Sequence, residues 1–212
     1  MGTIKQGILG GFSGKVGSVV GGSWKGISYM RSQAQNIKNP RTDAQMSQRA
    51  KFALALSFLK PLTNVVRTGF KLYAIKQTAF NAAMSYTLAN AISGDFPDYE
   101  IDFASALISR GTLTSAANGL ASAANGKISF TWEDNSGVGS AKATDKALIA
   151  ILNPSKGEGL SDNAGAARSV GSQSIDIPSD WIGDEVQIYL GFVSADAKEV
   201  ANSVYLGAVT VA

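Results

Sequence analysis

Residues 39–59 read NPRTDAQMSQRAKFALALSFL and divide the chain into two unlike regions. A glycine-rich basic leader precedes them; an apolar helical segment and an acidic, β-rich tail follow. Asn39-Pro40 reads as a turn, because the residue before a proline is pushed out of the helical region. Thr42 with Gln45 fits a capping box, in which the threonine oxygen accepts the Gln45 N–H and the glutamine amide reaches back to Thr42. From Phe52 to Leu59 almost every residue is apolar, which predicts a helix end buried on several sides. Gln45, Gln48 and Arg49 cluster at its front, where they are expected to face solvent or a partner.

Towards the N-terminus, residues 1–38 alternate glycine with small apolar residues. Lys15–Val20 and Trp24–Arg31 read as two strands around a turn at Gly21-Gly22-Ser23. A lone hairpin is marginal in water, so it needs a surface to lie on, or an edge strand of a neighbouring copy. Gly14-Lys15 invites a phosphate-loop reading that fails. Leu9 stands where that motif needs glycine, and Val16 replaces the magnesium-binding hydroxyl.

Beyond the central helix, Pro61 marks a break. Val66, Phe70, Tyr73, Phe80, Met84, Leu88 and Ile92 recur at helical steps, predicting a helix over 62–93 that Gly69 weakens by about 1 kcal/mol. Asn81 and Asn90 are candidate buried hydrogen-bonders within it, and Gly94 and Pro97 end it. Composition changes at Asp98, taken as the boundary between a basic region, 1–97, and an acidic domain, 98–212. Strand character follows at 99–109, 127–133, 146–152, 174–177, 186–193 and 203–211, at the spacing of an antiparallel sandwich. SAANG occurs twice, at 115–119 and 122–126, and reads as a loop repeat with two Asn-Gly turns.

Histidine and cysteine are both absent from the 212 residues. That excludes Ser-His-Asp and Cys-His nucleophile arrangements, and zinc held by imidazole or thiolate. The net charge of +3 hides a division: residues 1–97 carry twelve bases and two acids, a net of +10, and residues 98–212 carry seven and fourteen, a net of −7. Charged residues are only 17% of the chain, which suits a body with much surface buried in assembly. The chain has no run of eighteen apolar residues, so no transmembrane span is expected. Nor does the N-terminus show a signal peptide, which predicts a cytoplasmic or virion-associated protein.

Asp98, Glu100 and Asp102 alternate, and on a strand they share one face; Glu133-Asp134-Asn135 with Asp145 forms a second acidic set. Neither has the loop spacing of a known calcium site, and both read as solvated edges. No catalytic residue, metal or cofactor is expected, and the chain is read as non-enzymatic. The interaction surface expected on the basic side comprises Lys15, Trp24, Lys25, Tyr29, Arg31, Arg41, Gln45 and Arg49. Opposite it stand the acidic positions Asp180, Asp184 and Glu185.

Around ISFTWEDN, DKALIAILNP and IPSDWIGDEVQIYLGFVSADAKEVANSVYLG the tail resembles fibronectin type III and related Ig-like sandwiches. Trp132 is then a core residue, and Ser203–Val211 the last strand. Across the whole chain, GGFSGKVGSVVGGSWKGISYMRS, NPRTDAQMSQRAKFALALSFL and FNAAMSYTLANAISGDFPDYEIDF resemble a family of uncharacterised proteins from Bacteroidota. The resemblance implies kinship and fold, and no catalytic residues. The leader and its Arg/Gln helix are also similar to phage-encoded structural proteins, by analogy.

The fold expected is therefore α+β: an N-terminal β-hairpin plus helices, then an antiparallel Ig-like sandwich. The function expected is a structural, self-assembling homo-oligomer, such as a phage virion, particle or filament component. Its basic half would meet the acidic half of the next copy. The alternatives are a nucleic-acid binder using the basic, aromatic-bearing leader, and a carbohydrate- or protein-binding module.

Overall fold

The structure, a computed structural model, describes the chain apart from Met1, Lys5, Gln6, Ile8, Leu9, Lys25, Ile37, Lys38 and Pro40. It divides into two compact units, 1–42 and 43–212.

The first unit is an antiparallel sheet of four consecutive strands: β1 (Thr3–Ile4), β2 (Phe12–Val16), β3 (Val19–Trp24) and β4 (Ile27–Ser32). Val16 pairs with Val19, so Gly17-Ser18 makes the first tight turn, with Gly17 at φ +58°. Trp24 pairs with Ile27, and Gly26 at φ +85° sits in the second. The predicted turn at Gly21-Gly22-Ser23 instead lies inside β3. Those glycines make room for rings. A Cβ on Gly21 would overlap the carbonyl oxygen and ring of Phe12, and the Tyr29 ring stands over Gly22. The expected interaction residue Lys25 falls outside the described residues, as do Lys5, Lys38 and Pro40.

The second unit opens with α1 (Asp43–Leu59), whose first residue follows Thr42. There follow α2 (Thr63–Gly69), a 3₁₀ turn at Lys71–Tyr73, and α3 (Ala79–Asn90). The helix predicted over 62–93 is thus two helices. Gly69 ends α2 because the chain at Ile108 and Ser109 presses against its Cα, where a side chain would overlap the Ile108 carbonyl. Thr78 restarts the helix, its hydroxyl oxygen accepting the Asn81 N–H at 3.1 Å. Asn81 and Asn90 are exposed rather than buried.

Two short strands, β5 (Ile92–Ser93) and β6 (Glu100–Ile101), lead into the sandwich. The strand predicted over 99–109 stops early because Asp102 accepts the Ala104 N–H and the Ser105 hydroxyl, a local turn that competes with the ladder. Seven strands then follow: β7 (Ala117–Ala124), β8 (Lys127–Glu133), β9 (Lys146–Asn153), β10 (Glu158–Asp162), β11 (Ser172–Asp176), β12 (Glu185–Val193) and β13 (Val204–Thr210). They form two antiparallel sheets, ordered β10-β9-β12-β13 and β11-β8-β7. The first, second and fifth strands make one sheet and the remainder the other, an Ig-like, fibronectin type III-like sandwich.

β9 and β12 show why the helices belong with this sandwich. Their sequences KALIAILN and EVQIYLGFV are nearly continuous apolar runs, as strands covered on both faces must be. Ile149, Ile151, Ile188, Leu190 and Phe192 point between the sheets, against Phe130 and Trp132. Leu148, Ala150, Leu152 and Tyr189 point the other way, against Phe58, Leu59, Leu62, Val65 and Val66 of the helical segment. Each of the Leu, Ile, Val and Phe side chains among them contributes about 1.5–3 kcal/mol by burial. The division therefore falls after Thr42, and the helices predicted to group with the leader form a third layer on the four-stranded sheet.

β7 and β10 correspond to no predicted strand. Of the two SAANG copies, Asn125-Gly126 makes the tight β7–β8 turn, with both residues at positive φ. Asn118-Gly119 lies within β7 at a bulge, where the register with β8 shifts between Ala117 and Leu120.

Candidate interaction surface

In an antiparallel sheet, paired residues share a face and alternate residues take opposite faces. The pairs Lys15–Val20, Val20–Arg31, Gly22–Tyr29 and Trp24–Ile27 therefore put Lys15, Trp24, Tyr29 and Arg31 on one face of the leader sheet. Gly22 leaves a flat spot there, and the Tyr29 ring covers it. The opposite face carries Phe12, Val16, Val19 and Met30. Almost nothing in this sheet is buried. Trp24 is 64% exposed, Ile27 68% and Met30 70%, and all six residues of β4 are exposed. In β2, β3 and β4 the only buried residue is Gly21. The sheet thus presents large apolar side chains on both faces, and among the described residues no core covers either.

Arg41 is exposed and adopts φ +48° immediately ahead of α1. Gln45 and Arg49 lie one turn apart on α1, in line with Phe52 and Leu56. Phe52, Ala53 and Leu56 are exposed, so the predicted burial of 52–59 on several sides holds only for Ala55, Phe58 and Leu59. With Arg49 and Leu88 they line a shallow apolar groove of about 410 Å³. Sequence reasoning missed Ile27, Met30, Phe52 and Leu56 as surface residues. An apolar side chain at strand or helical spacing carries no mark of whether anything covers it.

The acidic positions gather at one end of the sandwich and are partly engaged there. Lys156 Nζ lies 2.8 Å from Asp180 Oδ2 and 3.9 Å from Asp184 Oδ2. Asn153 also donates to Asp184, at 2.8 Å, and Gln187 donates to Glu185. The hydrogen bond from Lys156 holds the Asp180 carboxyl below the usual carboxylate range, and reciprocally raises the lysine.

The second acidic set is structural. Asp145 and Arg168 are an ion pair at 3.2 Å with both side chains 0% exposed. The guanidinium also donates to Asn135 Oδ1 at 2.6 Å and to the Thr114 carbonyl at 2.9 Å, and it stacks 3.9 Å above the Phe192 ring. Trp132 donates its indole N–H to the Arg168 carbonyl at 2.7 Å. Burial pulls the arginine below its usual pKa, and Asp145 opposes that shift. Asp134 accepts from Ser136 in a local turn. Among the described residues no group of three or more acids could hold a metal ion, and no helix is long and apolar enough to cross a membrane.

This arrangement defines a class: a fibronectin type III-like sandwich backed by a helical layer and preceded by a basic, exposed β-sheet. A family of unknown function, DUF6266, matches residues 11–207, and the chain belongs to it. No curated protein matches the chain. Among solved structures, the fn3 domain of human collagen alpha-1(XX) chain is similar at 10% identity and a TM-score of 0.36. That match covers 49% of this chain and 91% of the domain.

Proposed function

We propose that the protein is a non-enzymatic structural protein that self-assembles through its leader sheet, as a component of a particle, virion or filament. The observation that carries this reading is the sheet of β1–β4, whose described residues build no core, with Trp24, Ile27 and Met30 more than half exposed. Three or more strands need a covered apolar face for stability in water, and exposed apolar surface of this kind marks contact sites. A second copy supplies such cover.

Charge favours a head-to-tail contact. Residues 1–42 hold six bases and no acid, whereas 43–212 hold thirteen bases and sixteen acids. Opposite poles on unlike surfaces suit a heterologous interface, which repeats into rings or filaments. Sedimentation equilibrium of the full chain is expected to show oligomers at low salt and a smaller mean mass when salt shortens the Debye length from about 10 to about 3 Å. A monomer at every salt concentration contradicts the reading.

One observation favours a second reading. Lys15, Trp24, Tyr29 and Arg31 on one face are the residue types that stack bases and track phosphates on single strands. A mobility assay with a single-stranded oligonucleotide separates the two, because phosphate contacts give a steep salt slope even where the protein does not self-associate.

A further inference from the structure

We infer that the helical layer carries a binding site for a small carboxylate, with Arg110 as its anion-reading group. Gly69 positions it. Because that residue has no side chain, the segment at 108–110 lies against the end of α2, and Arg110 N donates to the Gly69 carbonyl at 3.0 Å. The Arg110 side chain is thereby held over two rings, its Cζ 4.5 Å from the Tyr73 centroid and 5.2 Å from that of Tyr86. Two amides hold the turns bearing those rings. Gln77 donates to the Tyr73 carbonyl at 3.3 Å, and Asn90 to the Tyr86 carbonyl at 2.9 Å.

What the arginine lacks is an acceptor. It is half-buried, yet among the described residues no hydrogen bond or ion pair engages its guanidinium, which carries five N–H donors. The ring faces hold the cation in place without using the donors in its plane. It lines a cavity of about 260 Å³ with Phe70, Ser85 and Ala89, and no acid contributes to the wall. Residues 44–94 contain no Asp or Glu, although Arg67, Lys71 and Lys76 lie on the same segment. This is an uncompensated positive site of preset geometry. A guanidinium fork matches a carboxylate in a bidentate pair, the Ser85 hydroxyl can add a donor, and Phe70 with Ala89 offers an apolar wall for a short stem. The volume lies at the small end of ligand sites, so the ligand is small.

The test is a titration of the full chain with propionate, followed by the Arg110 Nε–H resonance. Propionamide serves as the uncharged isostere, inorganic phosphate as the alternative anion and sodium chloride as the ionic-strength control. The expected result is a saturable shift with propionate, with a Kd on the order of 1 mM, and at least roughly tenfold weaker binding of propionamide. Followed on the Ser85 backbone amide, which lines the cavity and is kept in every variant, Arg110→Gln is expected to abolish the response and Arg110→Lys to weaken it, because a point charge lacks the fork. Ala89→Leu fills the cavity from an exposed helix position and leaves the arginine stack intact, so it separates lost binding from lost folding. It too is expected to abolish binding. A response no greater than that to chloride overturns the inference, as does one unchanged in Ala89→Leu. Tighter binding of phosphate than of propionate overturns the carboxylate assignment.

Discussion

Replacing Arg168 by alanine is expected to cost about 3–5 kcal/mol of folding stability, the usual effect of removing one partner of a buried ion pair. Two consequences add. Asp145 is left as a carboxylate with no countercharge at 0% exposure, and one of its oxygens, Oδ1, already has no hydrogen-bond partner among the described residues. The Asn135 side chain and the Thr114 carbonyl also lose their donor, which loosens the loops at 114–115 and 134–136 from the sandwich end. Denaturant titration measures the effect, and a loss below about 1 kcal/mol contradicts the role assigned to the pair. The double variant Arg168→Met with Asp145→Leu is expected to recover most of the loss, because an apolar pair of similar volume strands no charge. Recovery would show that the cost of Arg168→Ala lies in the orphaned carboxylate and the space left over Phe192, and not in the loss of the ion pair's own attraction.

The second large effect concerns association. Trp24→Ser, Ile27→Ser and Met30→Ser together are expected to weaken self-association by at least roughly a hundredfold, since buried aromatic and aliphatic anchors are commonly worth about 2 kcal/mol or more each. Trp24 and Ile27 lie on one face of the sheet and Met30 on the other, so the triple variant strips both. None of the three belongs to either core of residues 43–212, and unfolding of the sandwich should be unchanged. Sedimentation velocity against concentration reads the first effect and denaturant unfolding the second. Unchanged association in the triple variant excludes the leader sheet as the assembly element.

Much of the sandwich was legible in the sequence. The predicted strands at 127–133, 146–152 and 186–193 match β8, β9 and β12 nearly residue for residue, because apolar runs bounded by Asn, Asp and Pro leave few alternatives. Trp132 is buried, as the resemblance to Ig-like sandwiches implied. Less was legible where small residues carry the strand. β7, with the sequence ANGLASAA, buries little, and its first Asn-Gly reads as a turn although the chain runs through it as a bulge. The same ambiguity moved the leader's turns, since a glycine needed for ring contact looks like one needed for positive φ. The grouping of the helices with the sandwich has its signal in β9 and β12: strands apolar on both faces must be covered on both, and only a further layer can cover the second. On the surface side, Lys15, Trp24, Tyr29 and Arg31 were legible only by residue type; a single strand over 24–31 would put Trp24 opposite Tyr29 and Arg31, and it is the turn between Trp24 and Ile27 that brings them to one face. The engagement of Asp180 and Asp184 by Lys156 was not, because it joins positions far apart in the chain.

Amide hydrogen exchange, measured on the full chain over a range of protein concentrations, tests the central claim most directly. If another copy covers the leader sheet, the amides of β2, β3 and β4 gain protection as concentration rises and lose it on dilution. Those of β9 and β12 stay protected throughout, because their cores lie within residues 43–212. Leader amides protected equally at the lowest concentration, where the chain is monomeric, would contradict it.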